Sequence, residues 1–204
     1  MRKAIICLIV LSMCVFLGCN MEEKTSYVSQ NISEINTDNS SSEKQEEYFD
    51  ITPQAVLDEI GCQIFKSNMS CASYVLYEGE KYPISNFFGG WGIVDMQVCD
   101  FDGDGQADIL YTSSWGSGMH RWEIGYFDFT KMEDNFIYSS FTSSPVLGLA
   151  DVMLEKVGEN EFEIYTISFD ISEAENFFID FKYSKEELIG RVINENSAPK
   201  IIID

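Results

Sequence analysis

The chain has 204 residues, with 34 acidic side chains against 13 basic ones and a formal net charge of −21 at pH 7. This excess of negative charge argues against nucleic acid and anionic lipid as partners, because both would repel it. The length is enough for one domain once the N-terminal segment is set aside.

Residues 1–18 have the composition of a secretion signal. Arg2 and Lys3 provide a positive start, and the residues that follow are nearly all apolar. The apolar run is too short for a comfortable membrane span, and it ends at Phe16–Cys19. That ending resembles a bacterial lipobox, which implies that Cys19 is lipidated and holds the protein on the cell membrane, facing outside the cytoplasm. The alternative is an ordinary signal peptide with a soluble secreted product.

A tether is predicted at residues 19–47. After the lipidated cysteine it consists mainly of Ser, Asn, Glu, Gln, Lys and Thr, including three serines at positions 40–42. Such a composition cannot bury enough apolar surface to offset the entropy of ordering, so we expect disorder and a reach of roughly 30 Å. The folded domain, predicted at residues 48–204, would therefore stand off the membrane.

The domain is expected to begin with a short helix at Gln54–Gly61. Thr52 is the predicted N-cap, Pro53 lies at the first turn, and Gly61 ends the segment.

The remainder of the domain is predicted to form strands. Tyr74–Tyr77 and Tyr82–Ile84 are expected to pair as a hairpin around residues 78–81. Lys185–Leu188 is expected to form a brief helical turn. The predicted fold is therefore mainly β with a short N-terminal helix, as one small antiparallel β domain. The other predicted strands are Ile93–Val98, Ile109–Thr112, Trp122–Tyr126, Phe136–Phe141, Val146–Leu154, Phe162–Phe169 and Phe177–Tyr183.

An acidic run at residues 100–108 lies between two of these strands. Aspartates occupy its first, third, fifth and ninth places, and Gly103 and Gly105 permit backbone torsions that other residues resist. Carboxylates this close repel one another, and a hard cation with oxygen ligands removes the repulsion, so calcium is the expected cofactor. The predicted ligands, with Gln106 contributing its carbonyl, are Asp100, Asp102, Asp104, Gln106 and Asp108.

This run is similar to two kinds of calcium loop. It matches an EF-hand only in its first half, because the twelfth place is Tyr111 and not glutamate. It resembles more closely the loops of FG-GAP and VCBS-type repeats, as in integrin α-chain propellers, which read Asp-x-Asp-Gly-x-x-x-x-Asp followed by apolar residues. The resemblance covers Val94–Ser113 and implies one strand–calcium loop–strand unit. A full propeller is not expected, since the chain has no second such loop.

A turn rich in glycine, serine and aromatic residues is predicted at residues 113–122. Its tryptophans would stack on a sugar or aromatic ligand and its arginine would bind an anion, with residues 87–92 joining the same surface. The alternative is that these aromatics fill the core, and the alternation of Trp122 with Ile124 and Tyr126 favours it. The candidate binding residues are Trp115, His120, Arg121 and Trp122.

The sequence predicts no catalytic residue. It contains no nucleophile elbow, and nothing selects one pair of its many carboxylates for glycan hydrolysis. His120 is expected to be a surface or structural residue.

Three cysteines remain in the predicted domain: Cys62, Cys71 and Cys99. A Cys62–Cys71 disulfide with one free thiol and three buried free thiols are both consistent with the sequence.

These features together predict a membrane-anchored, extracytoplasmic calcium-binding β module. We expect a binding or interaction protein of the cell envelope, with a structural calcium ion and an envelope protein or glycan as its partner. The alternative is a cell-envelope hydrolase that acts on glycans or wall polymers.

Overall fold

The computed structural model describes residues 46–85, 89–116, 121–139, 150–170, 172, 182–195 and 198–203. The predicted signal, Cys19, most of the tether and His120 lie outside these ranges. So do much of the predicted strand Phe177–Tyr183 and the first residues of Val146–Leu154.

The described residues form twelve strands and one short helix. The helix α1 spans Gln54–Glu59. The strands are β1 Tyr48–Asp50, β2 Gln63–Ser67, β3 Ser73–Tyr77, β4 Glu80–Ile84, β5 Gly92–Cys99, β6 Asp108–Trp115, β7 Arg121–Asp128, β8 Glu133–Ser139, β9 Asp151–Lys156, β10 Glu161–Asp170, β11 Lys182–Glu195 and β12 Ala198–Ile203.

The strands make three four-stranded antiparallel sheets. Their orders are β1-β2-β3-β4, β5-β6-β7-β8 and β12-β11-β10-β9, so each sheet is built from strands that are consecutive in the chain. The predicted mainly antiparallel β fold is confirmed, and the described sheets close into neither a barrel nor a propeller.

The β5–β8 sheet lies between the other two and is covered on both faces. Alternate residues of β6 therefore enter different cores. Leu110 joins Leu154 and Phe162 in the core shared with β9–β12. Ile109 joins Ile64 in the core shared with β1–β4. Burial on both faces explains why β6 is buried along almost its whole length, which is unusual for an antiparallel strand.

The helix α1 begins after Pro53, and the predicted N-cap role of Thr52 is wrong. The Thr52 hydroxyl instead accepts a hydrogen bond from the Ile64 backbone N–H at 2.7 Å, so it ties the chain to β2. Gly61, with φ +78°, donates its N–H to the Val56 carbonyl where the helical turn ends.

The described residues contain no helix long and apolar enough to span a membrane.

The β3–β4 hairpin turns on two residues and not on the predicted four. Glu78 and Gly79 have φ values of +51° and +87°, and β4 begins directly afterwards at Glu80. Two-residue turns with positive φ at both positions match the right-handed twist of paired strands.

The predicted helical turn at Lys185–Leu188 is wrong, because these residues belong to β11. The strand pairs with β10, and the Lys185 ammonium lies 4.3 Å from the centre of the Tyr165 ring while it pairs with Glu155. Cross-strand partners of this kind stabilise an extended conformation that the run of charged residues does not reveal.

The three described cysteines are buried free thiols, which is one of the two alternatives that the sequence left open. Burial raises the pKa of Cys62 and of Cys99 to about 12, so neither is a reactive thiolate at neutral pH. The Cys71 thiol donates to the Gly90 carbonyl at 3.2 Å.

Replacing Leu154 by alanine tests this layered arrangement. Leu154 is fully buried between two sheets, so Leu154→Ala should lower the free energy of unfolding in urea by about 2–5 kcal/mol. The same substitution at Leu57, which is 39% exposed on α1, should cost much less. Equal losses in the two variants would contradict the assignment of Leu154 to the core.

Candidate metal centre

The acidic loop connects β5 to β6 at one end of the central sheet. Cys99 and Asp108 form the last residue pair of the two strands, and the loop lies between them. Phe101 is fully buried, with its ring 5.2 Å from that of Tyr126, so the core fixes the base of the loop. The strand–loop–strand arrangement is the one that the sequence predicted.

Backbone N–H groups of the loop bind its first and last carboxylates. One oxygen of Asp108 accepts from the N–H of Phe101 at 2.9 Å and from that of Asp102 at 3.3 Å. The two oxygens of Asp100 accept from Gly103 and Gly105, each at 2.9 Å. Each N–H group offsets part of the charge of these carboxylates, so the hydrogen bonds stabilise the folded conformation of the loop.

Gly103 and Gly105 are needed for their backbone conformation and not for space. Their φ values are +79° and +92°, and a Cβ at either position would meet no atom within 4 Å. Other residues adopt such torsions only at a cost, as the sequence analysis anticipated.

Among the residues that the structure describes, two groups of three carboxylates have the spacing of a metal site. Oxygens of Asp100, Asp102 and Asp108 lie within 4.8 Å of one another, and we call this set the first triad. The second triad consists of Asp102, Asp104 and Asp128, whose oxygens also lie within 4.8 Å of one another. Four predicted ligands are therefore brought together. Gln106 is exposed, with its N–H bound to Asp104 at 2.8 Å, and the role of its carbonyl stays a prediction.

Asp128 is the site residue that the sequence analysis missed. It ends β7 and is fully buried. Ile109 pairs with Phe127, so one step further along the ladder Asp108 faces Asp128. Like charges directly opposite each other on neighbouring strands destabilise a sheet unless a cation lies near them. The sequence contains one signal for Asp128, which is an acidic residue at the end of a strand that follows the acidic loop. Recognising that signal requires the register between β6 and β7.

The turn between β7 and β8 supplies the positive charge. The Lys131 ammonium lies 3.0 Å from an Asp102 oxygen and also pairs closely with Asp128. The Thr130 hydroxyl donates to Asp104. Burial opposes the ionisation of Asp128, but hydrogen bonds from Lys131 and Thr130 outweigh it and lower its pKa. Hydrogen bonds to Asp128 and Asp102 raise the pKa of Lys131.

Two asparagines hold the loop from the side of the β9–β12 sheet. The Asn194 side chain, on β11, donates to the carbonyl of Phe101. With its nitrogen facing the loop, the Asn160 amide donates to the carbonyl of Asp100 at 2.9 Å. The loop is thus fixed by the core beneath it, by the β7–β8 turn and by the neighbouring sheet.

The predicted aromatic binding surface lies at the opposite end of β6. The expected flexible turn at residues 113–122 is wrong in part, since β6 continues to Trp115 and β7 begins at Arg121. Trp122 is fully buried and stacks on Tyr138 with ring centres 4.8 Å apart, so it belongs to the core and not to a surface.

Trp115 and Arg121 are half-buried and pair across the two strands. His120, the remaining candidate binding residue, lies outside the described residues. The described parts of the two segments expected to share this surface do meet, while Phe87 and Phe88 lie outside the described residues. Gly89 bridges Gly116, and a Cβ on Gly90 would lie 2.5 Å from the Ser114 carbonyl oxygen.

Comparisons with protein-family models, with curated proteins and with solved structures find no match to this chain.

The ionisation of Asp108 gives a pH-dependent prediction. Burial, reinforced by the charges of Asp102 and Asp128, raises its pKa to about 6 against two opposing backbone hydrogen bonds. Because the folded-state pKa exceeds the unfolded value, the stability that this group contributes is present at low pH and lost as the pH rises through about 6.

Asp108→Asn keeps an oxygen acceptor but cannot ionise. In chelator, its free energy of unfolding relative to the unsubstituted protein should therefore rise between pH 4 and pH 7, by on the order of 1–3 kcal/mol. Urea titrations at several pH values measure the difference. A difference independent of pH would contradict the burial of an ionisable carboxyl at this position.

Proposed function

We propose that the acidic loop binds one calcium ion at the first triad. The observation that carries this proposal is the convergence of oxygens from Asp100, Asp102 and Asp108 within 4.8 Å at the end of two paired strands. Three carboxylates held close together on one loop suit a doubly charged ion, because the repulsion between them falls when the ion binds.

The chemistry of the donors favours calcium over other metals. The first triad offers oxygen atoms alone, which suits hard cations and not zinc, for which nitrogen and sulfur are the usual ligands. Calcium accepts six to eight oxygens in flexible geometry, with water completing the set. The strand–loop–strand setting also supports the resemblance to FG-GAP and VCBS-type calcium loops.

The proposed role of the ion is structural. The loop touches the β7–β8 turn through Asp102 and Asp104, and the β9–β12 sheet through Asn160 and Asn194. An ion at the first triad would stiffen the place where these parts meet. It would stabilise the domain and hold its surface in one conformation for a partner.

We further propose that the domain works outside the cytoplasm on a lipid anchor. The lipobox-like Phe16–Cys19 and the polar tether at residues 19–47 support this location. Calcium is abundant outside cells, where protein sites bind it with dissociation constants of about 10⁻⁴–10⁻³ M. The domain would then be a tethered binding or interaction module of the cell envelope, with a protein or glycan partner.

Thermal unfolding with and without calcium tests the proposal. At free calcium ten to a hundred times the dissociation constant, binding should add about 1.4–2.7 kcal/mol of stability. The unfolding midpoint should then rise by roughly 3–10 °C over that in chelator. Asp102→Ala/Asp104→Ala should remove the shift.

The matched control is Asp58→Ala/Glu59→Ala, which removes two exposed acids from α1. It should keep the full calcium shift. A midpoint that does not respond to calcium in the unsubstituted protein, or an equal response in all three proteins, would count against a calcium site in the loop.

A further inference from the structure

The second triad already contains a cation, supplied by the chain. The Lys131 ammonium lies 3.0 Å from an oxygen of Asp102 and also pairs with Asp128, two of the three members of that triad. Thr130 binds the third member, Asp104, through its hydroxyl. Each carboxylate of the second triad therefore has a partner in the β7–β8 turn.

The position of Lys131 is set by the structure of its turn. One oxygen of Asp128 accepts the backbone N–H of Thr130 at 2.9 Å and that of Lys131 at 2.8 Å, and Met132 follows with φ +54°. This turn conformation places the side chain of Lys131 over the end of β7, beside Asp128. Asp128 is fully buried and pairs with the Lys131 ammonium. Leaving a buried carboxylate without its counter-charge is costly, unlike breaking an exposed surface pair.

The two triads share Asp102, so a cation at the first triad would compete with the Lys131 ammonium for it. A divalent ion at the first triad and the ammonium at the second would draw on the same carboxylate and repel each other at short range. We propose that Lys131 is a built-in substitute for a metal ion: it keeps the acidic loop folded without calcium and lowers the affinity of the first triad for calcium. The second half of this proposal rests on the proposed calcium function, and the first half does not.

Lys131→Met, which removes the ammonium and keeps most of the side-chain length, tests both halves in the full chain. The matched control is Lys185→Met, which removes the same charge from an exposed pair with Glu155 on the β9–β12 sheet. In chelator, Lys131→Met should unfold roughly 2–4 °C below the control. Calorimetric titration with calcium should give Lys131→Met a dissociation constant about tenfold lower than that of the control, a difference of about 1.4 kcal/mol.

Lys131→Arg keeps the charge and should restore the behaviour of the unsubstituted protein in both measurements. This variant separates the loss of the cation from the loss of packing. If Lys131→Met folds only in the presence of calcium, that result supports the substitute role directly.

The outcomes separate the two proposals. Equal midpoints for Lys131→Met and Lys185→Met in chelator would overturn the substitute role. Equal calcium affinities in those two variants would overturn the competition while leaving calcium binding intact. An absence of calcium binding in every variant, including the unsubstituted protein, would overturn the proposed calcium site, and the chelator measurement would still decide the role of Lys131.

Discussion

Negative charge is concentrated at one end of the central sheet, and the surrounding fold has to compensate it. Asp108 and Asp128 face each other on adjacent strands, both buried, and Asp102 lies close to both. Carboxylates removed from water need donors or cations nearby. Backbone N–H groups of the loop, the Lys131 ammonium and the Thr130 hydroxyl provide part of this compensation. A calcium ion at the first triad would add the remainder.

The layered fold explains why these groups meet. The central sheet is covered on both faces, so its strands are held in register by two cores. That register places the end of β7 against the start of β6 and brings Asp128 to the loop. Asn194 reaches the Phe101 carbonyl from the neighbouring sheet, which connects the loop to a second layer. The stability of the domain and the geometry of the site are therefore coupled, and this coupling is the basis on which we propose a structural role for the ion.

The features predicted from sequence are those that depend on local chemistry. The acidic loop, its flanking strands and the need for Gly103 and Gly105 follow from residues close together in the chain, and the structure contains them. The burial of Trp122 agrees with its alternation along β7, although it was also considered as a surface residue.

The features missed depend on contacts between distant residues. Asp128 and Lys131 join the site only through the pairing of β6 with β7, which no local pattern reveals. Lys185–Leu188 has the composition of a helical turn, but partners on β10 and β9 keep it extended. Threonine is a common helix cap, but the Thr52 hydroxyl accepts a hydrogen bond from the Ile64 backbone N–H instead.

A crystal structure of the protein grown in millimolar calcium would show whether the acidic loop binds the ion. We expect one ion with oxygens of Asp100, Asp102 and Asp108 at about 2.3–2.6 Å and water completing its coordination. Lys131 would remain beside Asp128 in that structure. A first triad that binds only water under these conditions, with its side chains turned toward solvent, would rule out a calcium site in this loop.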